Sequence, residues 1–526
     1  MDAKLPEAAG SRQPSAIRTV AVIDIGATSI RMAIGEIGES GSVRTLDTLS
    51  QAVSLGKDTF SDNVIRKSTM EECVRVLRAY RNIVEQYRIK IPEHVRVVAT
   101  SAVREARNRL AFIDRVYIAT GLVIDPIDEA EVTRMTYLGV QSYLRNEPAL
   151  VQARTVVVEI GGGSTELLLV SHGNVIAAYT FRIGSLRLRK AVEAYDAPAA
   201  KVQHVMASQI QRMVDDVREQ VGSDGPVEMI ALGGDVRFAA TQLLQDWRPD
   251  QLTRLPVNTL ADFTARLITL SDDRIVHRYH LSFPEAETVG PALLSYVMLA
   301  RALNVENVLI TNTNLRDGLL QEMAVGQAWT QEFRQQIVRS ALNLGHKYDF
   351  DEPHASHVAR LASQLFEQLQ SEHQLDLRHE IVLHVAALLH EIGGFVSHRS
   401  LHKHSMYLIR NSEIFGLGKR NLLLVALVAR YHRRSAPQPL HEGYATLTRE
   451  ERVAVSKMAA LLRIAVALDE SRSQRIHDFT CRVEGSRLVI SIARAEDLSL
   501  EQLALRQNAG LFEEVFGLRV LLRISR

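Results

Sequence analysis

The chain has 526 residues, 46% of them hydrophobic and 23% charged, which is typical of a globular protein with two to four domains. Lysine and arginine total 62 against 61 for aspartate and glutamate, which excludes a strong net field that would recruit nucleic acid or an anionic membrane surface. The two cysteines, Cys73 and Cys481, have no metal-binding or redox spacing and suit a reducing compartment.

The chain also lacks the patterns of a secreted or membrane protein. Its first residues contain no apolar signal core, and the most apolar later run, NLLLVALVA, is too short to span a bilayer. We therefore expect a cytoplasmic protein with neither a nucleic acid nor a membrane as its partner, and a flexible tail over residues 1–17.

Strand and helix patterns alternate over the next part of the chain. They predict hairpin strands, a helix over residues 69–88, the strand VRVVAT, a helix after Arg104 and the strand GLVIDPID. This order predicts a first α/β lobe over residues 18–130.

A similar order recurs over residues 131–325, which we expect to form a second α/β lobe. It has a helix, a hairpin at EIGGGSTE, a helix near 199–221, the strand and turn MIALGGD, and the segment NVLITNTNLRDGLL. Amphipathic helices then predict a helical domain over 326–470. Strands in CRVEGSRLVISIA and GLRVLLRIS predict a small α/β domain over 471–526.

One unit of sequence occurs in both predicted lobes. VIDIGATSIRMAI, residues 22–34, and VVVEIGGGSTELLLV, residues 156–170, each join two strands through a glycine turn. Aligning Asp24 with Glu159 also aligns the first glycine and the serine of the two turns. The repeat predicts two lobes of one plan, with a cleft between their turns.

The two turns are predicted to bind phosphate. A strand that turns through glycine exposes backbone N–H groups, and such a concavity binds phosphate oxygens. The strand-end acids Asp24, Glu159 and Glu166 would repel the phosphates unless Mg²⁺ or Mn²⁺ lay between them. Ordinary hairpins with turn-forming acids are the alternative. The predicted phosphate-binding turn residues are Gly26, Ala27, Thr28, Ser29, Gly161, Gly162, Gly163, Ser164 and Thr165.

Several motifs together resemble one known family, that of the exopolyphosphatases and guanosine pentaphosphate phosphohydrolases (Ppx/GppA). They occur in the family's order between residue 19 and about residue 470: AVIDIGATSIRM, ATSAVREARN, DEAEVTRMTYLGV, VEIGGGSTELLLV, ALGGD, NLRDGLL, LHEIGG, LHKHSMYLIRNS and ARYHRR. The resemblance implies a duplicated actin-like, sugar-kinase-like (ribonuclease H-like) core, phosphoanhydride hydrolysis and a homodimer.

The resemblance also implies one catalytic and one phosphate-binding side chain. It places the catalytic glutamate at Glu131, although Asp128 and Glu129 are close enough to be alternatives. It places a phosphate-clamping arginine at Arg104, for which an exposed helix arginine is the alternative.

Three positions depart from the family's pattern. Glu159 stands where aspartate is usual, and its extra methylene moves the carboxylate by roughly 1.5 Å. Thr28 replaces an asparagine, and Val132 replaces the second of two adjacent glutamates. These changes favour a working enzyme with shifted metal or substrate preference, and leave a sensor without turnover as an alternative.

The predicted helical domain is rich in histidine. Twelve of the 18 histidines fall between His346 and His441. The pattern resembles HD-type metal phosphohydrolases, with a glutamate where their aspartate stands, and implies a remnant site at His357, His390, Glu391 and Asp469. A basic track for a long polyanion is predicted at Lys403, Arg410, Arg433 and Arg434, with a solvated helix face as the alternative.

Three functions are therefore consistent with the sequence. The first is a metal-dependent exopolyphosphatase that releases terminal orthophosphate from inorganic polyphosphate. The second is hydrolysis of the 5′-terminal phosphate of guanosine pentaphosphate. The third is a polyphosphate or alarmone sensor without turnover. A sugar kinase is disfavoured because no sugar-binding segment is evident, although the fold alone does not decide function.

Overall fold

The computed structural model describes residues 17–39, 41–194, 199–222, 225–249, 251–325, 330–493 and 497–525. The predicted tail, apart from Ile17, lies outside the described residues. The chain divides into two compact units, the first formed by Met1–Asn174 with Tyr179–Ala328 and the second by Val175–Ala178 with Trp329–Arg526.

The first part of unit 1 is a lobe built on a five-stranded sheet. Its strands are β1 (Arg18–Ile25), β2 (Ser29–Ile37), β3 (Val43–Ala52), β4 (Val95–Ala99) and β5 (Ile124–Pro126). Its helices are α1 (Leu55–Asp62), α2 (Lys67–Gln86), α3 (Ser101–Glu105) and α4 (Arg109–Thr120). The strand order is β3-β2-β1-β4-β5, with β1 antiparallel to β2 and parallel to β4.

The second part of unit 1 is a lobe built on a six-stranded sheet. Its strands are β6 (Arg154–Ile160), β7 (Thr165–Ser171), β8 (Asn174–Phe181), β9 (Val227–Leu232), β10 (Thr253–Pro256) and β11 (Asn307–Ile310). Its helices are α5 (Glu129–Asn146), α6 (Pro148–Gln152), α7 (Ser185–Ala194), α8 (Ala199–Val221), α9 (Gly234–Leu243), α10 (Val257–Ile268), α11 (Asp272–Tyr279), α12 (Phe283–Ala302) and α13 (Leu315–Val325).

The two sheets share one topology. The second sheet has the order β8-β7-β6-β9-β11-β10, which repeats β3-β2-β1-β4-β5 of the first and adds β10 at the edge. In each lobe a hairpin is followed by a third strand, β3 or β8, and then by a helix, α1 or α7. The repeat read from the sequence is thus confirmed as a duplicated, actin-like α/β core.

Strand β1 is buried on both of its faces. Ala21, Ile23 and Ile25 pack into one apolar core, whereas Val20 and Val22 pack into another on the opposite face. Successive side chains of a strand point to opposite faces, so burial on both faces explains the uninterrupted apolar run VAVI at residues 20–23. Burial on both faces holds the end of β1, and the turn that follows it, in a fixed position.

Unit 2 is mainly helical. Its helices are α14 (Gln331–Lys347), α15 (Glu352–Gln368), α16 (Gln370–His373), α17 (Leu377–Leu389), α18 (Leu401–Arg410), α19 (Lys419–Arg430), α20 (Arg449–Ala467), α21 (Ser499–Asn508) and α22 (Gly510–Phe516), with short 3₁₀ turns at Ile392–Phe395 and Tyr444–Thr446. A sheet of order β12-β13-β14 follows, formed by Phe479–Glu484, Arg487–Ala493 and Arg519–Ser525.

The predicted elements are confirmed with shifts of a few residues at their ends. The helix expected over 69–88 is α2, Lys67–Gln86, and the one expected near 199–221 is α8. The predicted boundaries at 130/131, 325/326 and 470/471 stay predictions. In the part of the chain that the structure describes, no helix is both long and apolar enough to cross a bilayer.

Candidate active site

The two glycine turns have the same backbone geometry. The Gly26 amide donates to the Ser29 carbonyl at 3.0 Å, and the Gly161 amide donates to the Ser164 carbonyl at 2.9 Å. Each bond closes a hairpin across two intervening residues. The turns are therefore equivalent in structure as well as in sequence.

The carbonyl groups of both turns are bound by the protein. Ala27 and Thr28 accept from the amides of Gly56 and Val53, at 2.8 and 2.9 Å. In the second turn the Gly162 carbonyl accepts from the Leu186 amide at 3.0 Å. The Gly163 carbonyl accepts from Arg187 Nε at 2.7 Å. No carbonyl oxygen of these four residues is left to repel an anion.

The amides of the same four residues have no acceptor among the described residues. The N–H groups of Ala27, Thr28, Gly162 and Gly163 take part in none of the hydrogen bonds of the described backbone and side chains. Successive N–H groups that point out of a turn form a concavity for phosphate oxygens. The two lobes of unit 1 have one such turn each, and each turn can hold one phosphate.

The two turns pack closely against each other and against α7. A Cβ atom added at Gly162 would lie 2.9 Å from Ala27 Cβ and 3.1 Å from Leu186 Cδ1. At Gly163 the added atom would lie 2.3 Å from the Phe60 ring. Neither residue has a left-handed φ, so backbone conformation does not require glycine at these positions. Glycine is required because the chain segments approach each other closely.

A cavity of about 180 Å³ joins the two turns. Most of the side chains and turn residues predicted from the sequence line it: Asp24, Gly26, Ala27, Thr28, Ser29, Arg104, Glu159, Gly161, Gly162, Ser164 and Glu166. Gly163 and Thr165 are not among the lining residues, and the Thr165 hydroxyl donates to the Ile183 carbonyl at 2.6 Å.

The three predicted metal-binding acids lie in this cavity. Burial raises the pKa of Asp24, against the opposing charge of Arg316, whose Nη1 lies 3.5 Å from Asp24 Oδ2. Burial also raises the pKa of Glu159, opposed first by Arg237. Burial raises the pKa of Glu166 to about 7, although Ser164 Oγ donates to its Oε1 at 2.6 Å. The buried carboxylates thus hold protons more readily than exposed ones.

Four arginines line the same cavity, and three of them were not predicted. Arg104 was expected there, whereas Arg31, Arg237 and Arg316 come from β2, α9 and α13. Arg31 lies directly across the hairpin from Asp24, which a count of hairpin residues would have indicated. The start of α9 at Gly233, Gly234 and Asp235, from the ALGGD motif, lines the cavity as well. The cavity is therefore suited to a highly charged anion.

The side chain of Glu131 takes a different position from the one expected of a catalytic base. It is not among the lining residues, and its Oε1 lies 3.5 Å from Arg134 Nη2, with 37% of the side chain exposed. Burial raises the pKa of Glu131, against the charges of Arg134 and Arg96. Its neighbour Val132 is the residue of this helix turn that faces the cavity. The catalytic role of Glu131 stays a prediction.

The two acidic neighbours of Glu131 have other contacts. Asp128 is the N-cap of α5, where its Oδ1 accepts from the Glu131 amide at 3.0 Å. Glu129 Oε1 accepts from Arg104 Nη2 at 3.0 Å, and Arg104 Nη1 donates to the Ile127 carbonyl at 2.7 Å. Asp128 therefore fixes the start of the helix, and Glu129 holds the arginine at the cavity wall.

The residues of the cavity fit a hard divalent cation. Asp24 Oδ1 is buried and has no hydrogen-bond partner among the described residues, so a carboxylate oxygen is left for a ligand. The three acids do not form a closed cluster, since no carboxylate trio of the described chain lies within 4.8 Å. Mg²⁺ usually keeps several waters and binds through one or two carboxylates and the phosphates of its substrate, so an open set of acids suits it.

Comparisons with known proteins identify the family of the chain. A profile described as "Ppx/GppA phosphatase family" matches residues 33–326, more than half of the chain. A second, "Ppx/GppA phosphatase, domain III", matches residues 337–512. The chain belongs to the Ppx/GppA phosphatase family. It is therefore a hydrolase of that family.

Two of the following solved structures share the fold of this Ppx/GppA phosphatase, and a third is similar to it in part. An exopolyphosphatase from Cytophaga hutchinsonii is 20% identical, with a TM-score of 0.53, and the match covers 59% of this chain and 98% of that one. An exopolyphosphatase-like protein is 20% identical with a TM-score of 0.50, over 58% and 97%. The Aquifex aeolicus family member is 21% identical with a TM-score of 0.48, over 60% and 100%.

The helical unit of this Ppx/GppA phosphatase holds the predicted HD-type residues only in part. His390, Glu391 and Asp469 lie close to His354, which was not predicted. His357 instead has its Nδ1 2.5 Å from Arg360 Nη2 and its ring against that of His477. His354 and His357 are both buried on α15, so the sequence pattern did not separate them.

The predicted basic track divides into two parts. Lys403, Arg433 and Arg434 lie near His402 and, with burial as the larger cause, lower the pKa of that histidine to about 4. None of the three has an ion-pair partner among the described residues. Arg410 differs, since its Nη1 donates to Glu442 Oε1 at 2.8 Å. Of the four predicted cations, the three without an ion-pair partner among the described residues therefore lie around His402.

Proposed function

We propose that this Ppx/GppA phosphatase is an exopolyphosphatase, which releases orthophosphate from the end of inorganic polyphosphate. The observation that carries the proposal is the matched pair of turns, since Ala27, Thr28 and Gly162, whose amides have no acceptor among the described residues, line one cavity. Neighbouring phosphates of a linear anhydride would each find a set of N–H donors there. The arginines of the cavity would neutralise the remaining charge.

The side chains of the cavity suggest a division of roles. Arg31, Arg104, Arg237 and Arg316 bind and orient the terminal phosphates, and Asp24 and Glu166 hold the cation. A bound Mg²⁺ or Mn²⁺ would supply charge neutralisation of the phosphate oxygens. Phosphoryl transfer depends mainly on positioning and electrostatic stabilisation, so these residues account for most of the chemistry that the protein must perform.

Glu159 is our candidate for the residue that positions the attacking water. Its carboxylate lines the cavity, and Thr136 Oγ1 donates to Glu159 Oε2 at 3.4 Å. Thr136 lies one helical turn after Val132, the apolar residue that α5 presents to the cavity. The longer side chain at position 159 thus brings a carboxylate to the helix face on which Val132 offers none. Glu131 is the competing assignment.

The substrate is tested by comparing two rates. Full-length protein is assayed for phosphate release from long-chain polyphosphate and from guanosine pentaphosphate, with Mg²⁺ and with Mn²⁺. We expect the larger kcat/KM on polyphosphate. A larger kcat/KM on pentaphosphate would replace the proposal with the second activity of the family, and no release from either would favour the sensor.

The cations around His402 are expected to affect only long substrates. The double substitution Lys403→Gln with Arg434→Gln should raise KM for long-chain polyphosphate about three- to tenfold, because it removes attraction for a polyanion. KM for short chains should not change. Arg410→Gln is the control for lost charge, since that arginine is already neutralised by Glu442. Equal increases for short and long chains would contradict a role in chain binding.

Metal affinity is expected to fall in mild acid. A carboxylate binds a cation in its ionised form, and the pKa of Glu166 is raised to about 7, so protons compete with the metal as the pH falls below about 7. The Mg²⁺ concentration for half-maximal activity should rise up to about tenfold per pH unit there.

Glu166→Gln should remove this pH dependence and recover part of its activity at high Mg²⁺. The measurement is a metal titration of activity at several pH values. Glu85→Gln, which removes an acid with a 53% exposed side chain on α2, is the control. If Glu166→Gln and the unmodified protein gave the same metal curves at every pH, Glu166 would not be a metal-binding residue.

A further inference from the structure

Unit 2 contains a cluster of metal-ligand side chains that phosphoanhydride hydrolysis in unit 1 does not use. One ligand atom each from His354, His390 and Glu391 lie within 4.8 Å of one another. His354 is in the first turn of α15, and His390 and Glu391 directly follow α17. His354 is 3% exposed and His390 is fully buried, whereas Glu391 is half-buried, so the two histidines are shielded from solvent and the carboxylate is at the edge of the cluster.

Both histidine rings are oriented by an acceptor at Nδ1. His390 Nδ1 lies 2.6 Å from the Ala387 carbonyl, which can only accept, so Nδ1 carries the proton. His354 Nδ1 lies 2.8 Å from Asp469 Oδ2. Metal-binding histidines usually donate their other ring N–H to a carboxylate or a backbone carbonyl in this way. In both rings Nε2 is left with its lone pair.

His390 Nε2 needs a partner. It is buried and has no hydrogen-bond partner among the described residues. A buried polar atom without a partner is costly, and it requires an explanation such as a bound ion. His432 has the same arrangement next to it, since its Nδ1 lies 2.6 Å from the Ala429 carbonyl and its ring lies 4.9 Å from that of His390.

The third ligand is a carboxylate with one oxygen already used. Glu391 Oε2 accepts from Arg472 Nη2 at 2.6 Å, which leaves Oε1 for an ion. Two imidazole nitrogens with one carboxylate oxygen suit Zn²⁺, Mn²⁺, Fe²⁺ or Co²⁺ better than Mg²⁺, which prefers oxygen ligands only.

We propose that His354, His390 and Glu391 bind one first-row transition-metal dication, with Asp469 orienting His354. Atoms that share an ion at roughly 2.1 Å are at most about 4.2 Å apart, so a separation of no more than 4.8 Å needs only a small contraction on binding. This site is separate from the cation expected beside Asp24 and Glu166, and it differs from the sequence prediction because His354 takes the place of His357.

The test measures metal content rather than activity. Full-length protein is equilibrated with Zn²⁺, desalted and analysed for bound zinc, and the Co²⁺-loaded protein is examined for visible absorption from nitrogen and oxygen ligands. We expect about one equivalent of zinc to be lost in His390→Ala, and an affinity loss of at least about tenfold in Glu391→Gln. Asp469→Asn should weaken binding about 10- to 100-fold. His357→Ala, another buried histidine of α15, is the matched control and should keep the metal.

The outcomes separate clearly. Zinc content equal in the unmodified protein, His390→Ala and Glu391→Gln would overturn the site, as would a loss in His357→Ala as large as that in His390→Ala. Glu391→Gln preserves side-chain shape, so it remains informative if His390→Ala fails to fold. Because no hydrolysis is measured, failure here would leave the proposed exopolyphosphatase activity unaffected.

Discussion

Gly162→Val is expected to lower kcat/KM for polyphosphate by at least about a hundredfold at every metal concentration, because misplacement of a binding group by about 1 Å can cost this much. The new side chain begins 2.9 Å from Ala27 Cβ and 3.1 Å from Leu186 Cδ1, so it must push one turn away from the other. The amides of the two turns would then no longer match neighbouring phosphates. The measurement is steady-state kinetics at saturating Mg²⁺.

The same substitution elsewhere provides the control. Gly510, the first residue of α22, has no atom within 4 Å of an added Cβ and no left-handed φ, so Gly510→Val should keep its activity. Thermal melting should show that Gly162→Val remains folded, with overpacking costing about 1–3 kcal/mol. Unchanged kcat/KM in folded Gly162→Val would mean that the spacing of the turns is not needed for substrate binding.

Glu159→Gln is expected to lower kcat by about 10²- to 10⁴-fold, the usual range for a positioned acid–base group. Glu131→Gln, the identical chemical change at the position that family resemblance implies, should lower kcat less than about tenfold. The reason is that Glu159 lines the cavity, whereas the Glu131 carboxylate lies beside Arg134. Both variants are assayed on the same polyphosphate, and the affinity of each variant for that polyphosphate is measured separately.

The order of the two effects decides the assignment. A large loss in Glu131→Gln with a small loss in Glu159→Gln would restore Glu131 as the catalytic residue. It would also require the Glu131 carboxylate to leave Arg134 and turn into the cavity when substrate binds.

The sequence was sufficient to predict the core of the fold because its pattern is local. Each hairpin is encoded by about a dozen consecutive residues, with an acid, a glycine and a serine at fixed offsets, and strand β1 contains the apolar run VAVI at residues 20–23. The turn length then fixes the register that pairs Asp24 with Arg31 and Glu159 with Glu166. Hairpin turns and their register can therefore be predicted from the sequence without a structure.

The other site residues depend on long-range packing, which no local pattern reveals. Arg237 and Arg316 come from α9 and α13, and only the assembled lobes bring them to the cavity that holds Asp24. Whether Glu131 or Val132 faces the cavity depends on the rotation of α5, and neighbouring helix positions point about 100° apart. The choice between His354 and His357 is a question of the same kind on α15.

The central claim is that the cavity between the matched turns hydrolyses polyphosphate from its end. The most direct measurement is a time course of long-chain polyphosphate incubated with full-length protein and Mg²⁺ or Mn²⁺, with products resolved by chain length. The proposal predicts that the unmodified protein releases orthophosphate as the only short product while the remaining chains shorten from their ends, and that Glu159→Gln does so at least about a hundredfold more slowly. Polyphosphate that is bound but not shortened, or that is cut internally into fragments, would contradict it.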